Sequence, residues 1–348
     1  MRALTVRPGT AGSVSLEEIP PPAARDGALL ARAVAIGICG TDRDIVAGRY
    51  GSPPEGQERL VLGHESLLRV VEAPAAAGFA AGDLVAGIVR RPDPVPCASC
   101  AIGEWDMCTN GRYTERGIKG RDGYAAEQVR LDPAFAVRLP PALGLLGVLT
   151  EPASVLAKAW EQIERIGNRA GAWEPRTVLV TGAGPVGLLA ALMGRQRELD
   201  VHVYDRTTDG PKPALVRDLG AHYHCPDLES LGDCEPDIVI ECTGASAVVF
   251  DVMNRTAPGG IVCLAGMSSG GREIRVDVAQ LNRAMVLEND VVFGTVNANR
   301  RHYDAAVQCL AAADPGWLAR LITRRVPLAR WREALEPRRG DVKVVLDF

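Results

Sequence analysis

The sequence predicts a two-domain α/β protein in which a mostly-β module precedes a doubly wound parallel sheet. The chain has 348 residues, which is longer than single hydrophobic cores usually reach. Residues 1 to about 150 carry short apolar runs separated by Gly and Pro, which is typical of an all-β module. From Thr150 onward, apolar strand patterns alternate with helical patterns, which indicates parallel βαβ units.

The composition excludes several classes of function. The hydrophobic fraction of 47% is typical of a globular protein with a large core. The formal net charge of −4 gives no excess of basic residues for binding nucleic acid or a membrane surface. No apolar run approaches the roughly 18 to 20 residues of a membrane span. The segment Met1–Val6 is predicted to form a strand and has no features of a secretory signal, so we expect a cytoplasmic protein. Thiols stay reduced there, and the nine cysteines then need a role other than disulfide formation.

The second half of the chain contains the clearest secondary-structure pattern. Continuous apolar runs are expected for strands that are covered on both faces of a sheet. We predict strands at 176–181, 200–205, 237–241 and 261–266, and helices starting at Glu151, running from Pro185 to about Arg195, and ending at Leu219–Gly220. A helix at 303–313 and a strand at 342–346 follow, and we expect this tail to return to the first domain. The predicted domains are 1–155 and 156–298, with the returning segment 299–348.

A glycine-rich motif predicts a dinucleotide site. Its residues are Gly182, Ala183, Gly184, Pro185, Val186 and Gly187, a GxGxxG between a predicted strand and a predicted helix. The first glycine allows the tight turn, the second lets the backbone approach a pyrophosphate, and the third lets helix and strand pack closely. The pyrophosphate would lie at the helix N-terminus, where unpaired N–H groups favour negative charge.

The residues after the next strand bear on the choice of cofactor. Asp205 stands where a carboxylate would bind the ribose hydroxyls. The alternative interpretation is that Asp205 is only a solvated charge at the end of a strand. Asp205 would repel a 2′-phosphate, which favours NAD. Arg206 could pair with that phosphate, so NADP use stays open.

Cys39, His64 and Glu65 are the predicted ligands of a catalytic zinc. His64 and Glu65 follow an apolar run and Gly63, so we expect them where a strand opens into a turn. A thiolate, an imidazole and a carboxylate make a mixed zinc site with a fourth position for substrate. Taken alone, the cysteine and the histidine could instead be buried core residues. The dinucleotide motif favours zinc, which would polarise a substrate oxygen while hydride leaves for the nicotinamide.

Two further residues join this site as candidates. Glu151, near the domain junction, could ligate zinc or contact substrate. Alternatively, it could have only a structural role as a capping carboxylate in the first turn of a helix. Thr41 could accept a hydrogen bond from the substrate alcohol and begin a proton relay, or simply shape a turn.

A second metal site is predicted around three closely spaced cysteines. Cys97, Cys100 and Cys108 resemble a closed structural zinc site, for which four ligands are expected. Asp93 is the nearest candidate for the fourth ligand. The alternative is a lobe without metal.

Taken together, these motifs resemble those of the zinc-dependent medium-chain alcohol dehydrogenases, and more narrowly the glucose 1-dehydrogenase branch. The resemblance spans essentially the whole chain and lies in the segments 37–44, 62–66, 113–118, 149–152 and 296–303. Gly63-His64-Glu65 belongs to the whole superfamily, whereas Thr114–Ile118 and Val296–Asn299 are the narrower signal. The family implies a GroES-like catalytic domain built from both chain ends and a Rossmann domain between them.

The resemblance also implies roles for individual residues. Cys39, His64 and Glu65 would bind catalytic zinc with Glu151 as a variable fourth ligand; Thr41, Glu115, Glu151 and Asn297 would contact sugar hydroxyls; Asn297 and Lys343 would also contact the cofactor. Without the resemblance, Glu115 would be interpreted as a charged surface residue and Asn297 as an amide in a loop. The chain departs from the family at two positions. Pro94 stands where the family has the first cysteine of the structural zinc site, and Val155 stands where some relatives have an acidic residue that binds the sugar.

The expected function is zinc-dependent oxidation of an aldose, D-glucose first, at C1 to the lactone, with hydride transfer to NAD or NADP. The alternatives are a polyol or amino-cyclitol dehydrogenase acting on a secondary alcohol, and a non-catalytic nucleotide-binding protein with the same fold. The expected partners are a small sugar and further copies of the chain in a homodimer or homotetramer, with no nucleic acid and no membrane.

Overall fold

The computed structural model describes residues 1–268 and 273–348. The chain forms two compact units. Unit 1 contains Met1–Ser154 and Asn297–Phe348, and unit 2 contains Val155–Val296. Each unit has its own sheet system.

The N-terminal part of unit 1 is mostly β structure. Its elements are β1 (Arg2–Val6), β2 (Ser15–Glu18), β3 (Leu29–Ile38), α1 (Gly40–Val46), β4 (Leu60–Val61), β5 (Glu65–Glu72), β6 (Leu84–Gly87), β7 (Arg90–Arg91), α2 (Ala98–Ala101), β8 (Thr114–Arg116), β9 (Gly120–Arg121), β10 (Gln128–Leu131) and β11 (Ala136–Arg138). Helix α3 (Thr150–Gly167) begins in unit 1 and continues into unit 2.

Unit 2 alternates strands and helices. After α3 come β12 (Thr177–Thr181), α4 (Pro185–Gln196), β13 (Asp200–Tyr204), α5 (Pro211–Asp218), β14 (His222–His224), β15 (Ile238–Glu241), α6 (Ser246–Val252), β16 (Ile261–Leu264), α7 (Val278–Glu288) and β17 (Val291–Gly294). The strand order is β14-β13-β12-β15-β16-β17, and neighbouring strands pair in parallel. This is the doubly wound order that binds dinucleotides, so the predicted sheet is confirmed. Strands β14 and β17 were not predicted.

The C-terminal part of unit 1 adds two strands to the main β sheet. Its elements are α8 (Arg300–Ala312), α9 (Pro315–Leu321), β18 (Ile322–Pro327), α10 (Trp331–Leu335) and β19 (Lys343–Asp347). The sheet order is β11-β6-β5-β3-β19-β18, so β19 lies directly beside β3. The start of the last strand therefore lies close to the end of the strand that leads into Cys39.

Short 3-10 helices connect these elements. They are Ala24–Asp26, Ala75–Ala77, Trp105–Met107, Pro133–Phe135, Pro141–Leu149, Asn168–Ala170, Leu228–Leu231 and Leu328–Arg330. The core of unit 1 brings together side chains that are at most 1% exposed, among them Leu4, Ile36, Leu68 and Leu346. Truncating one such leucine to alanine typically costs ~2–5 kcal/mol, so this core holds the strand ends of the site in place.

One helical run of the chain is strongly apolar. Residues 141–170 are long and apolar enough to cross a membrane, with a mean hydropathy of 1.3 over the most apolar window. However, 67% of that window is buried inside the protein. Leu149, Ala153 and Leu156 are fully buried. The run therefore has the character of a core helix.

Candidate catalytic and cofactor sites

Strand pairing brings the predicted zinc ligands together in unit 1. Strands β3 and β5 are antiparallel, and Gly37 pairs with Glu65. A Cβ atom at position 37 would lie 2.0 Å from Oε2 of Glu65, so the site requires glycine there. Cys39 follows the end of β3 and caps α1. The donor atoms of Cys39, His64 and Glu65 all lie within 4.8 Å of one another. This donor set fits a catalytic zinc ion.

One detail of the expected local structure is wrong. The sequence suggested that a strand opens into a turn at His64 and Glu65. Instead the turn comes first, at Gly63 with φ of +88°, and Glu65 is the first residue of β5. The positive φ of Gly63 reverses the chain after β4, so that the following residues enter the main sheet.

Asp42 orients the histidine, although the sequence interpretation did not single it out. Its Oδ1 lies 3.3 Å from Nδ1 of His64, and the Asp42 side chain is fully buried. Its Oδ2 accepts a hydrogen bond of 2.8 Å from the backbone N–H of Cys39. Burial lowers the pKa of His64, but the negative charge of Asp42 outweighs it and raises that pKa well above its ordinary value. A carboxylate behind a ligating imidazole fixes the ring and leaves its other nitrogen for metal.

Lys343, in unit 1, lies at this site. It is the first residue of β19, is 1% exposed, and donates from Nζ to both carboxylate oxygens of Glu65 at 2.6 and 2.5 Å. Burial lowers the pKa of Lys343, but the charges of Glu65 and Cys39 outweigh it and raise the pKa above its ordinary value. In this structure its ammonium group therefore compensates a buried carboxylate.

Glu151 is close to these groups without belonging to the tightest set. It lies in the first turn of α3 and is outside the group of donor atoms that approach within 4.8 Å. Burial raises the pKa of Glu151 to about 7, while the charge of His64 acts in the opposite direction and that of Glu65 in the same direction. The carboxyl group can therefore be neutral or charged near neutral pH.

Thr41 is the second residue of α1 and lies next to the thiol of Cys39. Its Oγ1 is 3.9 Å from Sγ of Cys39. This distance places a hydroxyl group beside Cys39, a candidate zinc ligand.

A second polar group in unit 1 joins residues that are far apart in sequence. Asn297 Nδ2 donates to Oε1 of Glu115 at 2.6 Å across 182 residues of chain. Arg90, which the sequence interpretation missed, donates to the same oxygen from Nε at 3.1 Å and from Nη2 at 2.9 Å. Glu115 and Arg90 are each 4% exposed. The hydrogen bonds formed within the described residues all reach Oε1, so Oε2 is left for another donor.

The glycine-rich loop in unit 2 has the geometry that its motif predicts. Gly182 has φ of +90° at the end of β12, and Gly184 is the N-cap of α4. A Cβ atom at Gly187 would lie 1.7 Å from the carbonyl oxygen of Gly182, so the third glycine is required for packing. A Cβ atom at Gly184 would meet no protein atom within 4 Å. The second glycine therefore faces open space where a phosphate could approach.

Asp205 braces this loop from the next strand. Its Oδ2 accepts from the backbone N–H of Ala183 at 2.8 Å and from Nζ of Lys212 at 2.9 Å, and its Oδ1 accepts from the backbone of Thr207 at 2.9 Å. Burial raises the pKa of Asp205, but these donors outweigh it and hold the pKa below the ordinary value. The carboxylate is thus partly neutralised by Lys212, a residue that the sequence interpretation did not consider.

The three lobe cysteines are also close together. The thiol sulfur atoms of Cys97, Cys100 and Cys108 lie within 4.8 Å of one another. Backbone N–H groups of Cys100 and Thr109 lower the pKa of Cys97 to about 6, whereas burial raises the pKa of Cys100 to about 11.

Asp93, the expected fourth ligand of the lobe, is not part of this close set. It is 4% exposed, and its Oδ1 accepts from the backbone N–H of Val95 at 2.7 Å. Its Oδ2 accepts no hydrogen bond from the described residues, and the nearest cation, Nε of Arg112, is 3.9 Å away. A buried oxygen without a donor is available to a cation.

Comparison with known families shows matches over both parts of the chain. Residues 25–141 match the family model for the alcohol dehydrogenase GroES-like domain. Residues 144–348 match the model for the glucose dehydrogenase C-terminus. These matches account for the mostly-β unit and for the parallel sheet, respectively.

Relatives of known activity match the chain from end to end. It is 41% identical over 352 residues to glucose 1-dehydrogenase of Thermoproteus tenax, with 99% of both chains covered. It is 38% identical over 353 residues to glucose 1-dehydrogenase 2 of Vulcanisaeta moutnovskia, with 100% of this chain and 99% of the relative covered.

A solved structure is similar over the same extent. It is Haloferax mediterranei glucose dehydrogenase in complex with NADP, Zn and gluconolactone, with a TM-score of 0.92, 30% identity, and 100% of this chain and 99% of that chain covered.

Proposed function

The chain belongs to the glucose dehydrogenase branch of the zinc-dependent medium-chain alcohol dehydrogenases, and from this premise we propose that it oxidises D-glucose at C1 to the lactone with NAD(P) as hydride acceptor. The convergence of Cys39, His64 and Glu65 within 4.8 Å carries the proposal, because it is a donor set for catalytic zinc. A non-catalytic relative would not need these three groups together.

We propose that Cys39, His64 and Glu65 hold the zinc ion, with Glu151 as a ligand that joins when it is deprotonated. When bound, zinc supplies Lewis acidity at the substrate oxygen and the oxidised nicotinamide accepts a hydride. Asp42 fixes the ring of His64 at 3.3 Å. Lys343 holds Glu65 through both carboxylate oxygens.

The reaction removes the C1 hydrogen of the sugar as hydride and the hydroxyl hydrogen as a proton. We propose that Thr41 accepts that proton in the first step of a relay to solvent. Its hydroxyl lies 3.9 Å from Sγ of Cys39, one of the proposed zinc ligands. General acid–base groups of this kind typically contribute about 10²–10⁴-fold to the rate.

The Glu115–Asn297 pair is the proposed recognition element for the sugar. Arg90 and Asn297 fix one carboxylate oxygen of Glu115, so the other can accept from a sugar hydroxyl. A polyhydroxylated substrate needs such paired acceptors and donors, placed in advance. Glu151 is the further candidate for a hydroxyl contact.

For the cofactor, we propose that unit 2 accepts NADP as well as NAD. The sequence favoured NAD because Asp205 would repel a 2′-phosphate, and this preference is not supported. Lys212 partly neutralises that charge at 2.9 Å. Arg206 is exposed beside it. The similar Haloferax structure contains NADP.

We further propose a structural zinc ion on Cys97, Cys100 and Cys108. Asp93 would supply the fourth ligand through Oδ2, the buried oxygen that accepts no bond from described residues. Metal analysis tests this directly. Two equivalents of zinc are expected per chain, and one is expected in Cys108→Ser; one equivalent in both proteins would contradict the second site.

The chain is also proposed to be cytoplasmic and, as the family resemblance implies, a homodimer or homotetramer. Light scattering coupled to size-exclusion chromatography gives the mass in solution. A mass of one chain, 37.0 kDa, at working concentrations would contradict this part of the proposal.

A substrate panel tests the proposed reaction. The zinc-loaded protein is assayed with D-glucose, other aldoses, sorbitol and inositol-type cyclitols, each with NAD and with NADP, and the lactone is detected directly. Glucose should give the highest kcat/KM of the panel. Turnover of sorbitol without turnover of glucose would instead establish a secondary-alcohol dehydrogenase.

A further inference from the structure

Histidines are concentrated at one edge of the parallel sheet in unit 2. The sequence contains five histidines, and His202, His222 and His224 lie on neighbouring strands β13 and β14. The parallel register pairs His202 with His222 and Tyr204 with His224. Residues two apart on a strand share a face of the sheet. Asp200 and His202 from β13 therefore share one face with His222 and His224 from β14.

The polar atoms of this cluster approach one another closely. Asp200 Oδ2 lies 3.3 Å from Nε2 of His202, and Asp200 Oδ1 lies 3.2 Å from Nε2 of His222. The three donor atoms all lie within 4.8 Å of one another. One carboxylate thus faces two imidazole nitrogens, one from each strand.

A chain of hydrogen bonds sets the tautomer of His202. The carbonyl oxygen of Ser230 can only accept, so Nδ1 of His224, 3.0 Å away, carries a hydrogen atom. In a neutral ring, Nε2 of His224 then accepts a hydrogen bond from Nδ1 of His202 at 2.8 Å. The remaining nitrogen of a neutral His202, Nε2, presents a lone pair. That lone pair faces Oδ2 of Asp200 at 3.3 Å.

Two acceptors that face each other are reconciled either by a proton on His202 or by a metal cation held between them. The donor set of two imidazole nitrogens and one carboxylate suits zinc, nickel or cobalt ions. A ligating histidine whose other nitrogen is held by a second partner is also the usual arrangement at metal sites. The side chains of Asp200 and His222 are 54% and 61% exposed, so an ion can reach them from solvent. The side chain of His202 is only 16% exposed and is fixed in place.

We propose that Asp200, His202 and His222 form a binding site for a divalent transition-metal ion that links β13 to β14. His224 and Ser230 orient His202 for this role. β14 pairs with β13 and, within residues 1–268 and 273–348, with no other strand. A bound ion would therefore attach a three-residue edge strand to its neighbour through side chains. The site is separate from the catalytic and lobe sites of unit 1.

The test uses the zinc-loaded protein freed of excess metal, and Ni²⁺ as the probe. Isothermal titration should show one saturable Ni²⁺ site in the unmodified protein, and its melting temperature should rise with Ni²⁺ concentration. Asp200→Asn and His222→Gln should each weaken the binding by about tenfold or more. Glu235→Gln, an exposed carboxylate of the same unit outside the cluster, should leave it unchanged.

The readouts separate this site from catalysis. Zinc content and glucose turnover should be the same in Asp200→Asn and His222→Gln as in the unmodified protein, and circular dichroism checks their fold. Absence of saturable Ni²⁺ binding in the unmodified protein would overturn the proposal, as would binding that neither substitution weakens. Because none of the binding measurements depends on turnover, failure of the proposed glucose oxidation would not affect them.

Discussion

Lys343 bonds both carboxylate oxygens of Glu65 through Nζ, at 2.6 and 2.5 Å, where each residue is 1% exposed. Such a pair is held by mutual compensation, because either charge alone would be costly in a buried site. The same small region contains the acidic groups of Cys39, Asp42 and Glu151. Lys343 supplies positive charge to this region from the strand next to β3.

Replacing this lysine should destabilise the metal-free protein more than the zinc-loaded protein. In Lys343→Met, Glu65 keeps a buried charge without its partner, which typically costs ~3–5 kcal/mol. Bound zinc would restore part of the compensation. Urea unfolding of chelator-treated and zinc-loaded protein measures the difference. Lys119→Met, which removes a surface hydrogen bond to the Gly111 carbonyl, is the control and should cost much less. Equal costs in both metal states would contradict a zinc ion at Glu65.

Zinc affinity should depend on Asp42, although Asp42 is not a ligand. Asp42→Asn keeps the shape of the side chain but removes the charge that orients His64 at 3.3 Å. Loss of such a partner typically lowers metal affinity about 10–100-fold. Competition with a chromogenic chelator measures the affinity. Asp44→Asn is a matched control on the same helix, since Asp44 pairs with Arg49 at the surface. Equal zinc affinity in the two variants would show that Asp42 does not orient His64.

Asn297 should affect sugar recognition more than cofactor binding. Its φ is +64°, so Asn297→Gly removes the amide while tolerating the left-handed backbone. Loss of a hydrogen bond to a charged group, here Glu115, is worth ~1.5–3 kcal/mol, so KM for glucose should rise about tenfold or more. Asn289→Gly, at a φ of +59°, is the matched control and should leave KM for glucose unchanged. An unchanged KM in Asn297→Gly would remove Asn297 from the sugar site.

The two glycines of the loop should respond differently to an added methyl group. Gly184→Ala should fold normally, since its Cβ meets no protein atom within 4 Å, but it should weaken NADP binding by intruding on the phosphate position. Gly187→Ala should lower the melting temperature, because its Cβ would lie 1.7 Å from the carbonyl oxygen of Gly182. Thermal unfolding with and without NADP separates the two effects. Normal NADP binding by a folded Gly184→Ala would place the pyrophosphate elsewhere.

The fold was largely predictable because its signals are local. The strand at Thr177–Thr181, the GxGxxG and the following helix stand next to one another in the sequence, and their order defines a parallel unit. Strand β14 was missed because His222–His224 is short and polar, without the apolar run of a buried strand. Asp42 had a usable signal, since a carboxylate three residues after Cys39 completes a capping box at the start of α1.

The site was predictable only as separate pieces. Nothing in the spacing of Glu115 and Asn297 indicates that they meet, because they are 182 positions apart and the whole of unit 2 lies between them in the sequence. Strand order places Lys343 beside Glu65, from which it is 278 positions away in the sequence, whereas its expected contact with the cofactor stays a prediction. Such contacts depend on which parts of the chain, far apart in the sequence, the fold brings side by side, and local side-chain periodicity does not give that order.

Zinc-dependent turnover of glucose tests the central claim most directly. The purified protein is assayed for NADPH and gluconolactone formation from D-glucose and NADP, first as loaded with zinc, then after chelation, and then after zinc is restored. We predict that turnover disappears on chelation and returns when zinc is added back. A zinc-loaded protein that binds NADP but does not oxidise glucose, or turnover that is unaffected by complete removal of zinc, would contradict the account.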